Sequence, residues 1–335
     1  MATFVDRHRS DFNGDSPGLG AFGDILWRDA AGDNVLWLMA DDQPLGVQGS
    51  IATLPFLPPD LHFKAAAEFD TPAGIGNADI LWQNDNGALA LWQMNGTTVS
   101  AIHALPNPGP TWHVVGDNNF DTNPTDDILL RHDSGALAIW TGISAAMGTV
   151  SNMFAGLQNP GPSWHVVGTG DTTTDGIAGI LWQNDNGALA LWEDPALFTV
   201  PFLGNVFTFN TVAALLTVDA SWHVKGMADI NGDLRADIVF QNDTGAVVVW
   251  EMGGAAGTTV TSANLITLNP GPAWHIVGLR DMNGDAQADI LFQNDNGAAA
   301  LWENYQSLGG GAATFATVLP ITPNPNPNGH VWDLL

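Results

Sequence analysis

Residues 229–245 read DINGDLRADIVFQNDTG. The first nine place acidic or amide side chains at alternate positions: Asp229, Asn231, Asp233 and, past Arg235, Asp237. The rest is a short apolar run ending in an Asn/Asp/Gly turn. Nearly the same phrase, DMNGDAQADILFQNDNG, returns at 281–297. Strand-length apolar runs flanked by residues that tolerate unusual backbone angles predict β-hairpins. A helix would need longer runs, unbroken by Gly and Asn.

The phrase recurs along the chain. DILWRDAAGDNVLWLM starts at Asp24, DILWQNDNGALALWQM at Asp79 and DILLRHDSGALAIW at Asp127. GILWQNDNGALALWE starts at Gly179, DIVFQNDTGAVVVWEM at Asp237 and DILFQNDNGAAALWEN at Asp289. These six starts lie 48 to 58 residues apart. Each copy supplies two strands. A third is signalled by WHVVG at Trp112 and Trp164, WHVKG at Trp222 and WHIVG at Trp274, with a weaker form, LHFKA, at Leu61. A variable fourth segment, such as TTVSAIHAL, commonly ends in a rigid NPGP turn. Four short strands repeated six times predict an all-β fold, a six-bladed β-propeller of four-stranded antiparallel blades.

The chain has 14 tryptophans, and Trp27/Trp37, Trp82/Trp92 and Trp182/Trp192 fall at matched places in the repeat. They are expected between blades, where large aromatics fill wedge-shaped gaps. The first copy lacks a preceding WH strand, and the C-terminal HVWDLL resembles one. Residues 330–335 are therefore expected to complete the first blade, so that 1–335 form a single propeller domain without open sheet edges. An open solenoid is the alternative and would need polar capping repeats.

Composition narrows the function. Lys and Arg number 8 against 35 Asp and Glu, a net charge of -27. Such a surface repels nucleic acid and anionic lipid and attracts cations. Hydrophobic residues make up 45% of the chain but come in short pieces, so no membrane insertion is expected. The absence of cysteine excludes disulfides and thiolate chemistry. The N-terminal MATFVDRHRSD shows no apolar h-region of a classical signal peptide.

Hard oxygen donors at alternating positions of a tight loop are what Ca²⁺ requires; Mg²⁺ demands a stricter octahedron. The donors expected in one loop are Asp229, Asn231, Asp233, the Arg235 carbonyl and Asp237. In the next they are Asp281, Asn283, Asp285, the Gln287 carbonyl and Asp289. These loops are not EF-hands: glycine falls at position 4, position 12 is Phe240 or Phe292, and a strand follows. The competing reading is an Asx-rich turn whose carboxylates bond backbone amides. Asn119, Asp121, Asn123 and Asp127 keep the spacing with fewer charges. Asp171, Thr173 and Asp175 begin another loop, but Gly179 takes its ninth position. The first copy has Asp11, Asn13 and Asp15, then an insertion before Asp24; the second offers Asp70 and Asp79, one residue too far apart. Two good sites are expected, one or two weaker ones and two doubtful ones, on one acidic face.

DINGDLRADIVFQNDTG and DMNGDAQADILFQNDNG resemble the FG-GAP/VCBS-type repeats of β-propellers, found in bacterial proteins and, in related form, in integrin α-subunit heads. The resemblance implies that the DxDxDG-like loop binds calcium through the two donor sets above. Asn at the third position, where the family usually has Asp, implies weaker binding. It also implies a secreted or cell-surface location, reached without a visible classical signal peptide; a cytoplasmic location stays open. Adhesion, carbohydrate binding and enzyme-associated roles are all known in the family.

His113, His165, His223 and His275 each follow Trp in the same strand phrase and are read as structural, bonding the neighbouring turn. No G-x-S-x-G elbow, phosphate loop, dinucleotide fingerprint or HExxH occurs, and no catalytic residue is assigned. Glu68, Lys64, Arg131, His132, Lys225 and Arg280 break the repetition and could line a groove of their own. The preferred function is a calcium-binding extracellular or surface interaction scaffold with a protein or glycan partner. The alternative is a calcium-dependent lectin; a carbohydrate-active enzyme ranks below both.

Overall fold

Two residue sets alternate along the second and third strands of the repeat, as in DILW and LALW, and both are largely apolar. A sheet with that pattern must bury both faces, which stacked blades achieve. The computed structural model describes residues 12, 23–29, 31–38, 51–69, 77–123, 125–144, 148–155, 158–200, 204–321 and 332–334.

Blade 2 comprises strands Leu61–Ala67, Asp79–Asn84, Leu89–Asn95 and Thr98–Ala104. Blade 3 comprises Trp112–Asn118, Asp127–His132, Leu137–Ser144 and Thr149–Ala155. Blade 4 comprises Trp164–Gly170, Gly179–Asn184, Leu189–Val200 and Gly204–Ala214. Blade 5 comprises Trp222–Ala228, Asp237–Asn242, Val247–Gly253 and Thr259–Ile266. Blade 6 comprises Trp274–Arg280, Asp289–Asn294, Ala299–Gly309 and Ala312–Ile321. Each blade is an antiparallel meander in chain order. Blades 5 and 6 are also joined at their outer strands by a short parallel pairing of Leu265–Ile266 with Ala312–Ala313, giving one eight-stranded sheet.

Blade 1 combines Ile25–Asp29, Asn34–Trp37 and Ile51–Leu54 with the C-terminal Trp332–Leu334. Trp332 pairs with Asp29 just as Trp222 pairs with Asn242 in blade 5. It thus takes the place of the WH tryptophan, and Asp333 takes that of the histidine. The expected closure is present over these three residues; His330, Val331 and Leu335 lie outside the described residues.

Among the described residues the core divides into six clusters, one for each blade junction. Ile80, Trp82 and Trp92 of blade 2 pack with Leu26 and Leu36 of blade 1. Their alternates Leu81, Leu89 and Leu91 pack with Ile128, Leu130 and Trp140 of blade 3. The remaining clusters join blades 3 and 4, 4 and 5, and 5 and 6. The last joins Ile25, Trp27 and Trp37 of blade 1 to Met282, Leu291 and Leu301 of blade 6, closing the ring. The tryptophan pairs stand where expected: the ring centroids of Trp82 and Trp92 are 5.4 Å apart and those of Trp182 and Trp192 are 4.9 Å apart.

In blades 1, 2, 3 and 5, side chains near the end of the second strand tie the blades further. Gln83 donates from Nε2 to the Trp112 carbonyl and accepts the Val114 amide; Gln241 does the same with Trp274 and Ile276. Arg131 holds the equivalent place in blade 3, donating to the Gly161 carbonyl with its guanidinium over Trp182. Arg28 does so in blade 1, bonding the Pro58 and Leu61 carbonyls beside Trp82. Arg131 is therefore a tie between blades rather than part of a separate groove.

Candidate metal centres at the loop face

In blades 3 to 6 the inner strand begins at the Trp-His pair and ends where the acidic loop starts. In blade 5, Trp222 pairs with Asn242, and Ala228 pairs with Asp237. The acidic loops therefore gather on one face of the ring, and the Trp-His pairs and QNDNG-type turns on the other. On that second face His62, His113, His165, His223 and His275 each bring Nε2 within 2.7–2.8 Å of an Asp in the adjoining turn: Asp85, Asp133, Asp185, Asp243 and Asp295. The structural reading of these histidines holds, and His62 joins the set.

The loops share one backbone path. The fourth and sixth positions adopt positive φ: Gly232 and Leu234 in blade 5, Gly284 and Ala286 in blade 6, and Thr174 and Gly176 in blade 4. Only glycine takes this conformation without strain, so each loop carries one strained residue, at either place. The loops also join around the ring. The eighth-position amide of each donates to the first-position carbonyl of the preceding blade: Ala178 to Asn119, Ala236 to Asp171 and Ala288 to Asp229, at 2.7–2.8 Å. Gly23 of blade 1 donates likewise to Asp281 of blade 6, at 2.9 Å.

The same ring corrects the second loop. Asp126 donates to the Glu68 carbonyl, and Ala67 pairs with Asp79 as Ala228 pairs with Asp237. Glu68 is thus its first position, and Phe69 its buried second. Counting from Asp70 misplaced the start; Asp70 itself lies outside the described residues, as do Asp11, Asn13 and Asp15. Glu68 belongs to the loop ring, not to an unrelated groove.

In blade 5 the Asp229 carboxylate accepts the Gly232 and Asp233 amides at Oδ1 and the Leu234 amide at Oδ2. Asn231 Oδ1 accepts the Asp233 amide, and Asp233 Oδ1 accepts the Arg235 amide. Blade 6 repeats this: Asp281 accepts Gly284 and Ala286, Asn283 accepts Asp285, and Asp285 accepts Gln287. Among the described residues, no three His, Asp or Glu side chains form a group able to hold a metal ion. The first-position carboxylates bond loop amides instead, as the Asx-turn reading expects. Carboxylates have about four acceptor sites, so these bonds leave capacity for a cation.

The ninth-position aspartates differ in kind. Asp237 is fully buried and accepts the Ile230 amide at Oδ2 and the Met252 amide at Oδ1. It pins the loop to a bulge in the third strand. Asp289 accepts the Met282 amide at Oδ2, while its buried Oδ1 has no hydrogen-bond partner. Burial pushes the Asp237 carboxyl up to about 8 and that of Asp289 to about 9, with neighbouring carboxylates adding to the effect. Asp127 rises to about 8, and Asp281 to about 6, also chiefly by burial. A buried carboxylate so placed either takes up a proton or needs a cation. The donors are hard oxygens, and Asp289 keeps an unused one; the chemistry fits Ca²⁺.

The other loops are poorer. In blade 3, Asn119 turns its amide to the Gly176 carbonyl of blade 4, and Asp121 is engaged by the Asn123 backbone and side-chain amides. Asp121 and Asp127 are then the only carboxylates among its alternating positions. A further acidic position went unread: the residue fourteen after the ninth loop position, which is Glu193, Glu251 or Glu303 in blades 4 to 6. Glu251 accepts hydrogen bonds from Asn264 of its own blade and from Tyr305 across the blade 5–6 junction. Glu303 is buried near Asp281 and Asp285, and burial with their charge raises its pKa.

The remaining exceptions to the repeat do not form one groove either. Arg280, on the inner strand of blade 6, interacts electrostatically with Asp117 on the inner strand of blade 3, three blades away around the ring, and donates to the Asp24 carbonyl. Its charge therefore lies across the axis at the loop face. Lys64 and Lys225 sit at the bulges of their inner strands, where burial lowers their pKa. His132 bonds Ser134 in its own turn.

Residues 229–292 match the model of a family described as FG-GAP-like repeat. That match covers both regular acidic loops. No curated protein matches the chain in sequence. Among solved structures, a chain of the mitotic checkpoint complex aligns with 94% of this chain and 81% of its own length, at 13% identity and a TM-score of 0.45. Raptor from Chaetomium thermophilum aligns with 96% of this chain, at 11% identity and a TM-score of 0.50. This chain spans 25% of that Raptor chain, and the likeness concerns fold alone.

Proposed function

We propose that the protein is a calcium-binding β-propeller that serves as an interaction scaffold outside the cell or at its surface. The observation that carries this reading is the pair of regular loops in blades 5 and 6. Each sets five oxygen donors at alternating positions, the last a buried ninth-position carboxylate, and the FG-GAP-like segment spans both. Asp229, Asn231, Asp233, the Arg235 carbonyl and Asp237 would hold one ion; Asp281, Asn283, Asp285, the Gln287 carbonyl and Asp289 would hold the second. The bound ion would supply positive charge that lets the buried carboxylates ionise and offsets part of the net -27. Asn at the third position lowers the ligand charge of each loop. That suits the millimolar calcium outside cells better than cytosolic levels.

A protein partner is favoured over a glycan by where the aromatic and amide groups are spent. Trp27, Trp37, Trp82, Trp92, Trp182 and Trp192 are buried in the blade junctions. The turn amides bond their own backbone: Asn84 Oδ1 accepts the Asn86 amide, and Asn86 Oδ1 accepts that of Ala88. Those six tryptophans and these turn amides are thereby committed to packing and to the backbone, while Trp112, Trp164, Trp222 and Trp274 stay partly exposed. Isothermal titration of the chelator-treated protein with calcium tests the metal reading. Heat that saturates, and that is lost in an Asp229→Ala/Asp281→Ala double variant that still folds, supports it. Equal binding by that variant, or none by the wild type, contradicts it. Binding of one glycan class on an array, dependent on calcium, would replace the scaffold reading with the lectin.

A further inference from the structure

The chain has two lysines, Lys64 and Lys225, and the repeat puts them at one place. Each is the fourth residue of its inner strand, in LHFKAAA of blade 2 and WHVKGMA of blade 5. Each is also a bulged residue without a register partner, because the pairing shifts between Phe63 and Ala65 and between Val224 and Gly226. Bulges re-aim side chains. Blades 2 and 5 stand opposite each other in a ring of six, so the two lysines approach the axis from facing walls. Blades 3, 4 and 6 carry Val115, Val167 and Val277 at the same position, packed against the apolar blade junctions. A lysine there lays its stem along the same kind of surface and carries its ammonium beyond it, into the channel.

Neither ammonium is paired. Among the described residues, Lys64 and Lys225 make no hydrogen bond or ion pair, although the chain holds 35 Asp and Glu. Both are half-buried, and burial alone lowers their pKa. Asp117 is the only carboxylate on the inner strands of blades 2 to 6, and it interacts with Arg280 from the opposite wall. That interaction means that charges on facing walls act on each other across the channel. A half-buried cation without a counter-charge is costly to keep. From this placement we infer that the axial channel binds a small dianion, a dicarboxylate or a phosphate, between the ammonium groups of Lys64 and Lys225. Each ammonium is a compact charge with three donors to give. The acidic surface elsewhere repels anions, which makes the axis the one favourable place for them among the described residues. The site uses no residue of the acidic loops and is independent of the calcium reading.

Isothermal titration of the intact protein at pH 7, with neither calcium nor chelator present, tests this with succinate and inorganic phosphate. Acetate serves as the singly charged control. Saturable heat from succinate, phosphate or both is expected, with none from acetate; whichever binds assigns the site to carboxylates or to phosphates. Lys64→Met and Lys225→Met keep the stem and remove the charge, and each is expected to weaken binding about tenfold or more. Lys225→Arg keeps the charge and is expected to retain binding. The two lysines also report on themselves. An amine-acylating reagent followed by peptide mass mapping is expected to modify both in the free protein, and both more slowly with the dianion bound. No heat from either dianion, or acetate binding of equal affinity, overturns the inference. So does unchanged binding in the Lys64→Met/Lys225→Met double variant, or acylation of either lysine at the same rate with and without the dianion.

Discussion

Blades 4 and 5 are neighbours with the same strand order, the same loop path and opposite solutions to one problem. Both need a carboxylate under the acidic loop. Blade 5 takes it from the loop itself: Asp237 accepts two backbone amides and pins the loop to the third strand. Blade 4, with Gly179 at the ninth position, takes it from the third strand: Glu193 fills the space a side chain on Gly179 would need and meets Thr172. The first carboxylate holds backbone in place whether or not a cation binds. The second has one side-chain partner and holds no backbone in place. Equivalent chemistry at one point in space can thus have different structural consequences, depending on which strand delivers it.

That difference sets the largest expected effect. In chelator, Asp237→Ala orphans the buried amides of Ile230 and Met252 and is expected to lower stability by about 3–4 kcal/mol. Glu193→Gln under the same conditions replaces a buried, protonated carboxyl with a neutral amide of the same shape and is expected to stay within about 1 kcal/mol of wild type. Chemical denaturation of both variants gives the two numbers. Equal losses would erase the distinction between the blades.

The next effect is on pH. The Asp237, Asp289 and Glu193 carboxyls are raised to about 8, 9 and 9 by burial. Their pKa values in the folded protein exceed those of the unfolded chain, so their contribution to stability is fully present below about pH 4. It is lost as pH rises through about 8 to 9. Melting temperatures in chelator are expected to fall across that window, and saturating calcium to flatten the curve. A rise between pH 5 and 8 in chelator would show that these carboxylates are held ionised by other means.

The smallest effect concerns the strained loop positions. Leu234→Gly relieves a positive φ in blade 5 and is expected to stabilise by about 0.5–1 kcal/mol. Gly176→Ala, at the same place in blade 4, is expected to destabilise by about 1 kcal/mol. Shifts of the same sign in the two variants would mean that the loops do not share a backbone path.

Much of this was legible in the sequence, because a repeat states its own rules. The six copies, the four strands, the tryptophan pairs and the turn-bonded histidines follow from residues that recur at matched positions. Closure was legible too, although the register puts Trp332, not His330, at the head of the last strand. What escaped reading lies where one copy departs from the rule and a distant residue compensates. Gly179 looked like a plain gap because Glu193, which fills its space, is fourteen residues away, beyond any loop spacing. Glu68 was hidden by an insertion that made Asp70 look like the loop's start. Arg131 and Arg280 looked like groove residues, but one ties two blades and the other lies across the axis. Such pairings are contacts between strands, and spacing along the chain does not encode them.

Thermal unfolding of the intact chain, in chelator and in calcium raised to saturation at pH 7.5, tests the central claim most directly. An ion bound only by the folded loops stabilises by about 2.7 kcal/mol per site at a hundred times its dissociation constant. The melting temperature is therefore expected to climb by several degrees and to keep rising with calcium concentration. A melting temperature that stays the same from chelator to excess calcium would contradict the account, leaving the acidic loops as turns that bond only their own backbone.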